Sequence, residues 1–355
     1  MNTFSPVKYV GVIALTLVLL ALLYSGAFFY QLGALVSAEY WIHDAQILKR
    51  DLLAQNREKQ KLLFVAGSSA FFGIDSDRIE QALGISTINV GVSMNRPFDY
   101  ILKEIAPYIA PGDIVVLPLE YGNYSPGVPY TEWFTNQIMA WDPGYFRHLE
   151  PREKLEFMFS VVPQRVLLGA ITKAMGERLE SVRARQLKNP QEILSLVRDA
   201  WNQPEYHPEK IYSFLNIDPH GDAKLRTPEP PRPFSKDPYE LDVDFVESTY
   251  FWGNLRDFVV GCRARDIDVY IAWPPVVKGR LDFNSPRVSH SLREITRRMN
   301  ELGVPVLGNS SDFQYDPEFF TDNIYHVTSE GRAEHTSRLL GALRREPAIF
   351  ARQAR

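Results

Sequence analysis

One cysteine, Cys262, occurs in 355 residues, and that scarcity excludes an intramolecular disulfide and any Cys-based zinc cluster. The fold therefore stands on packing alone, and Cys262, beside Phe258 and Val259 in a helical pattern, reads as a core residue. No Lys/Arg-rich stripe interleaved with aromatics occurs, and the formal net charge is −4, so there is no electrostatic case for nucleic acid as a partner. His, Asp and Glu are not clustered at ligand spacing, so no metal and no other cofactor is expected. No internal repeat is found.

What the chain does have begins with an apolar run. Charge is missing from Tyr9 to Ala38, and Tyr9 to Tyr30 is almost wholly apolar, about the ~20 residues that a bilayer crossing needs. Val36-Ser37-Ala38 is a passable cleavage site for a signal peptide, but the run exceeds the roughly 7 to 15 residues of a signal core, which favours an uncleaved anchor over residues 1–38. Lys8 precedes the run and Lys49, Arg50, Arg57, Lys59 and Lys61 follow it among Glu39, Asp44, Asp51 and Glu58, so charge counting does not settle the side of the membrane. Residues 39–61, with Ile42, Ile47, Leu52 and Leu53 set among charges, read as a helical stalk or linker.

The remainder, 62–355, is long enough for one large core, and its rhythm is that of an α/β domain with a parallel central sheet. Leu62 to Ala66 is a short buried strand running into Gly67-Ser68-Ser69; Ser76 caps a helix that Gly84 stops; Thr87 to Val92 is a second strand. A helix over Tyr100 to Ile109 and a strand over Ile114 to Leu119 repeat the unit. After a gap come a helix over Phe245 to Arg265, a strand Val269 to Trp273, a helix Val288 to Leu302 and a strand Val304 to Leu307. The gap itself, about 124–244, breaks the rhythm: it is an aromatic- and proline-rich, largely helical insertion with a helix near Pro190 to Trp201 and a proline run from Thr227 to Pro233. Trp133, Phe134, Trp141, Tyr145 and Phe146 form either a substrate platform or the insertion's own core.

Nucleophilic acyl transfer needs a serine, a base to take its proton, a carboxylate to orient the base, and donors for the oxyanion. Ser69 follows the first strand in Gly67-Ser68-Ser69-Ala70, and Asp322-Asn323-Ile324-Tyr325-His326 puts an acid and a histidine in a loop directly before a helix that Thr328 or Ser329 can cap. In sheets of this kind ligands bind at the carboxyl ends of the strands, where both motifs fall.

The order of strands and these end motifs resemble the SGNH (GDSL-like) hydrolase family, over roughly 62–123 and 244–343. The resemblance implies a three-layer α/β/α fold, with Ser69 as nucleophile, His326 as base and Asp322 as acid. Asp322 stands four residues before the histidine, and Asn323 occupies the family's usual acid position three before it. Asn89-Val90-Gly91-Val92-Ser93 resembles the family's N-x-G-x-S-G block, with Met94 in place of the oxyanion glycine. Asn123 stands for the third-block asparagine, and Glu120 is a further candidate site residue. With the anchor and Pro274-Pro275 after a late strand, the likeness is greatest to the DltD-like and polysaccharide O-acetylation members. It implies an extracytoplasmic, single-pass membrane esterase or O-acyltransferase whose partners are an acylated glycan or acyl donor and a membrane O-acyltransferase. The replaced glycine and displaced asparagine fit an inert binding or scaffold component as the alternative.

Overall fold

The structure, a computed structural model, describes residues 6–36, 38–124, 129–176, 189–202, 212–225, 249–280, 282 and 285–349. The proline run Thr227 to Pro233, Ser37 of the cleavage-site motif and the first residues of the helix expected from Phe245 lie outside them. Helices are α1 (Pro6–Gln31), α2 (Tyr40–Gln55), α3 (Ser68–Gly73), α4 (Ser76–Leu83), α5 (Phe98–Ile105), α6 (Glu132–Trp141), α7 (Pro143–His148), α8 (Pro151–Phe159), α9 (Pro163–Met175), α10 (Pro190–Trp201), α11 (Thr249–Arg263), α12 (Pro286–Glu301) and α13 (Ser329–Leu343). Strands are β1 (Lys61–Phe64), β2 (Ser86–Asn89), β3 (Ile114–Leu117), β4 (Asp268–Ala272), β5 (Val276–Val277), β6 (Val306–Leu307) and β7 (Gln314–Tyr315). They form two compact units, Met1–Tyr40 with Tyr130–Leu187 and Trp41–Pro129 with Lys188–Arg355.

The larger unit carries a five-stranded sheet in the order β2-β1-β3-β4-β6, parallel throughout, with β1 in register with β2 from Lys61↔Ser86 to Phe64↔Asn89. The side chains of β1 and β3 are all buried, as strands covered on both faces require. The chain leaves β1 in one direction to reach β2 and passes back over β1 to reach β3. Right-handed crossovers therefore put α4 and α5 on opposite faces; α5 packs with α11, while α13 packs with α3 and α4. Lys61 opens β1 with its ammonium buried and paired 2.7 Å from Asp113, whose carboxylate also accepts the Lys61 and Ala110 N–H groups, tying the starts of β1 and β3. The expected α/β class and parallel sheet are thus present.

Local detail departs from expectation at several points. Asp75, rather than Ser76, caps α4 by accepting the Arg78 N–H, and Gly84 ends the helix at φ +66°, where a Cβ would be strained. Residues 39–61 do not form a free stalk: α2 buries Ile42, Ala45, Leu48, Leu52 and Leu53, and even Asp44 and Lys49, so from Trp41 on it is an integral helix of the larger unit. The insertion is not one body either, since 130–187 belongs with the anchor and the segment from 188 belongs with the sheet.

In the smaller unit α1 is the one described helix long and apolar enough to cross a membrane (Val7–Gln31). Its last turns enter a core in which Phe28 meets Phe146 and Phe157, and Tyr130, Phe134 and Tyr145 complete the cluster. Phe134, Tyr145 and Phe146 are therefore core residues of this unit, while the Trp133 indole donates to Glu39 at 2.7 Å.

Candidate active site

The loop from β7 to α13 folds back on itself, which is how an acid four residues before a histidine comes to face it. Thr321 N–H donates to His326 O (2.8 Å) and Thr328 N–H to Phe319 O (2.7 Å), while the Asn323 side chain accepts the N–H groups of Tyr325 and His326. The Thr328 hydroxyl then caps α13 by accepting the Gly331 N–H at 3.2 Å. Asn323 is the residue that makes the turn, and Asp322 is the carboxylate that faces the imidazole. Its Oδ1 lies 2.7 Å from His326 Nδ1, and the Asn323 amide nitrogen stands 3.0 Å from each of the two ring nitrogens.

Two further groups hold the carboxylate, the Tyr212 hydroxyl at 2.6 Å from Oδ2 and the Thr321 hydroxyl at 3.1 Å from Oδ1. Burial by itself raises the carboxyl pKa, but the bonds from His326, Tyr212 and Thr321 outweigh it and hold Asp322 well below the usual carboxylate range. Tyr212 also packs on Trp41 of α2 and edge-on to Phe72. It is a site residue that sequence reasoning missed, and nothing in the insertion's composition marks it.

His326 is buried and lies against Phe72 of α3, ring centroids 4.3 Å apart. The histidine loop therefore sits over the helix that begins with Ser68 and Ser69. Ser69, however, is fully buried and its hydroxyl donates to Pro118 O at 3.2 Å; among the described residues no hydrogen bond joins it to His326. Ser68 is partly exposed and stands one helical turn before Phe72, on the same face of α3.

The Ser69 N–H is held by Glu120 Oε1 at 2.9 Å, and the Gly67 N–H by Glu120 Oε2 at 3.2 Å. The Asn123 amide donates to Glu120 O and Oε2 at 3.1 and 3.2 Å. A Cβ on Gly67 would come within 2.5 Å of both Glu120 Oε1 and the Met94 nitrogen, so the Met94 backbone closes the same corner. The structure thus gathers Ser69, Met94, Glu120 and Asn123 at the ends of β1 and β3, with a fully buried carboxylate at their centre.

The second motif supports this corner from behind. Asn89 donates to Ala70 O and to Asp222 Oδ1, both at 2.7 Å, and accepts the Gly91 N–H at 2.9 Å. Gly91 has no room for a side chain, because a Cβ would meet Gly67 O at 2.6 Å. Lys49 from α2 donates to Asn89 O at 2.7 Å and to Gly221 O, and Asp222 also takes the Ser76 N–H and hydroxyl. Burial drives the Lys49 ammonium pKa down and the Asp222 carboxyl pKa up. Among the described residues no three His, Cys, Asp or Glu side chains are grouped as a metal ion requires. Compared with models of known families and with curated proteins, the chain matches none.

Proposed function

We propose that the chain is a membrane-anchored serine esterase or O-acyltransferase of SGNH-like type, acting outside the cytoplasm on acyl esters of a cell-envelope or secreted polysaccharide. The observation that carries the chemistry is the buried Asp322–His326 pair at 2.7 Å, with Tyr212 and Thr321 on the same carboxylate, set against the helix that starts with two serines. A histidine whose Nδ1 is held by a carboxylate is the arrangement a general base needs, with Nε2 exchanging its contact with the Asn323 amide for the serine hydroxyl. The polysaccharide, the extracytoplasmic side and a membrane O-acyltransferase as partner rest on the family resemblance.

In the proposed reaction the Ser69 hydroxyl exchanges its bond to Pro118 O for one to His326. His326 Nε2 takes the hydroxyl proton as Oγ attacks the ester carbonyl; the Met94 N–H is the nearby donor for the oxyanion, and the Asn123 amide joins it on leaving Glu120. The carbonyl–oxygen bond breaks, the leaving alcohol takes the proton from His326, and water or a sugar hydroxyl releases the acyl group from serine by the same steps in reverse. A second reading, an inert binding or scaffold component, is favoured by Glu120, whose carboxylate occupies the Gly67 and Ser69 N–H groups.

The deciding experiment is fluorophosphonate labelling of the detergent-solubilised full chain, mapped by mass spectrometry, in the unsubstituted protein and in Ser69→Ala, Ser68→Ala and His326→Ala. An adduct on Ser69 that is lost in His326→Ala supports the assignment. An adduct on Ser68 moves the nucleophile to the residue that shares a helix face with Phe72, and no adduct on folded protein supports the inert reading.

A further inference from the structure

Helix α9 is apolar on both sides. Arg165, Val166, Gly169 and Thr172 are buried, and Gly169 approaches α1 so closely that a Cβ would meet Gln31 Oε1 at 2.7 Å. Arg165 donates to Gln31 Oε1 (2.8 Å) and Ala34 O (3.2 Å), and Lys173 to Leu32 O (2.7 Å), so both charged residues of this helix turn toward the end of α1, while Gln164 in its first turn is exposed. The opposite face carries Leu167, Leu168, Ile171 and Met175, all exposed, with no charged residue among them. A helix on a water-facing surface is polar there. Helix α8 meets α9 at 93° and adds Leu155 and Phe159, the latter 86% exposed.

The length of α1 says what covers this patch. From Tyr9, the first residue after Lys8, to Leu23 the helix is bare; from Tyr24 it is gripped, with the Tyr24 hydroxyl on Met158 O at 3.1 Å and Phe28 fully buried. Those fifteen residues span only about 23 Å against a hydrocarbon core of about 30 Å. Roughly one more turn, reaching about Phe28, must lie at acyl depth, and that is the turn α8 and α9 surround. Exposed Phe29 and Tyr30 stand just beyond it, as aromatics do at a membrane interface.

We infer that α8 and α9 form an interfacial collar around the anchor, burying Leu155, Phe159, Leu167, Leu168, Ile171 and Met175 in the outer acyl region of the same bilayer that α1 crosses. The patch lies on the two helices that hold α1 where its bare stretch ends, which makes lipid its occupant rather than a second copy of the chain. The inference rests on α1 crossing the membrane and not on the chemistry at His326.

The test uses the full chain in phosphatidylcholine vesicles with a nitroxide on one introduced cysteine: Phe159→Cys, Leu168→Cys or Ile171→Cys in the collar, Leu15→Cys in α1, and Arg256→Cys on an exposed face of α11. Cys262 is buried with its thiol pushed up to about 11, so the unsubstituted protein serves as the blank. All five positions are exposed, so the substitutions leave the packing intact. At collar sites the ratio of oxygen to nickel-chelate collisions should exceed that at Arg256 by about threefold or more, as for groups ~5–10 Å below the headgroups. Collar labels as open to the nickel chelate as Arg256, with Leu15 in lipid, overturn the collar and spare the anchor. Labels closed to both reagents show a protein partner and also overturn it, and a Leu15 label in water overturns the anchor itself.

Discussion

His335 makes the larger unit measurably acid-sensitive. It is fully buried on α13, its Nδ1 shares a 3.1 Å hydrogen bond with the Tyr315 hydroxyl, and its Nε2 has no partner among the described residues. Burial first, and the nearby Arg338 second, push the imidazole down to about 3 from an ordinary 6.5. Between those values the unfolded chain binds a proton that the folded chain does not, so stability rises with pH across the window and is lost as pH falls below about 6.5. From pH 7 to pH 5 the loss from this one group is roughly 2 kcal/mol at about 1.4 kcal/mol per pH unit. The comparison is between unsubstituted protein and His335→Gln, each unfolded by urea in detergent at pH 7 and pH 5 and followed by tryptophan fluorescence. His335→Gln lowers stability overall, so the quantity to read is the change between the two pH values, which should be smaller in the variant by roughly 2 kcal/mol. Equal acid-induced losses in the two proteins would refute the reasoning and mean that the folded state already accommodates a charged imidazole.

Other expectations concern the site and its supports. Asp322→Asn takes from the base His326 the carboxylate that orients it and should slow fluorophosphonate labelling by about 10²- to 10⁴-fold, with near-native unfolding as the control. Tyr212→Phe removes one charge-assisted bond from Asp322 and should slow labelling by about tenfold, and the pH at which labelling is half-maximal should move; an unchanged rate and profile would make Tyr212 packing only. Asp113→Ala leaves the fully buried Lys61 ammonium and two N–H groups unpaired and should cost about 3–5 kcal/mol in urea unfolding. Gly221→Ala should be poorly tolerated, because φ is +92° and a Cβ would lie 2.2 Å from Asn89 O; a loss below about 1 kcal/mol would contradict that crowding.

The parallel sheet was legible because β1 and β3 are continuous apolar runs between turn residues, and Asp322 and His326 because they share one loop. Strand ends were less so: β2 stops at Asn89 and β6 has two residues, since side-chain bonds and loop contacts decide where pairing stops. The stalk reading failed because charge was equated with exposure, whereas Lys49 is buried on two carbonyl oxygens. The insertion has no single period, so nothing local separates Phe134 and Phe146, which pack near the anchor, from Tyr212 and Asp222, which reach the site. Nor can spacing reveal that Glu120 takes the N–H groups of Gly67 and Ser69, a contact made across two strand ends some fifty residues apart.

The grip of the smaller unit on the end of α1 bears on how the protein can be handled. Cutting the chain near Glu39 removes Phe28 from between Phe146 and Phe157, takes Gln31 away from Arg165, and deletes the Gly33 N–H that donates to Met139 O at 2.6 Å. Loss of the buried phenyl ring alone costs about 3–5 kcal/mol. Preparations that begin after the anchor therefore open an aromatic cavity and leave a guanidinium without its acceptor, and detergent or a bilayer mimic is part of keeping residues 130–176 folded.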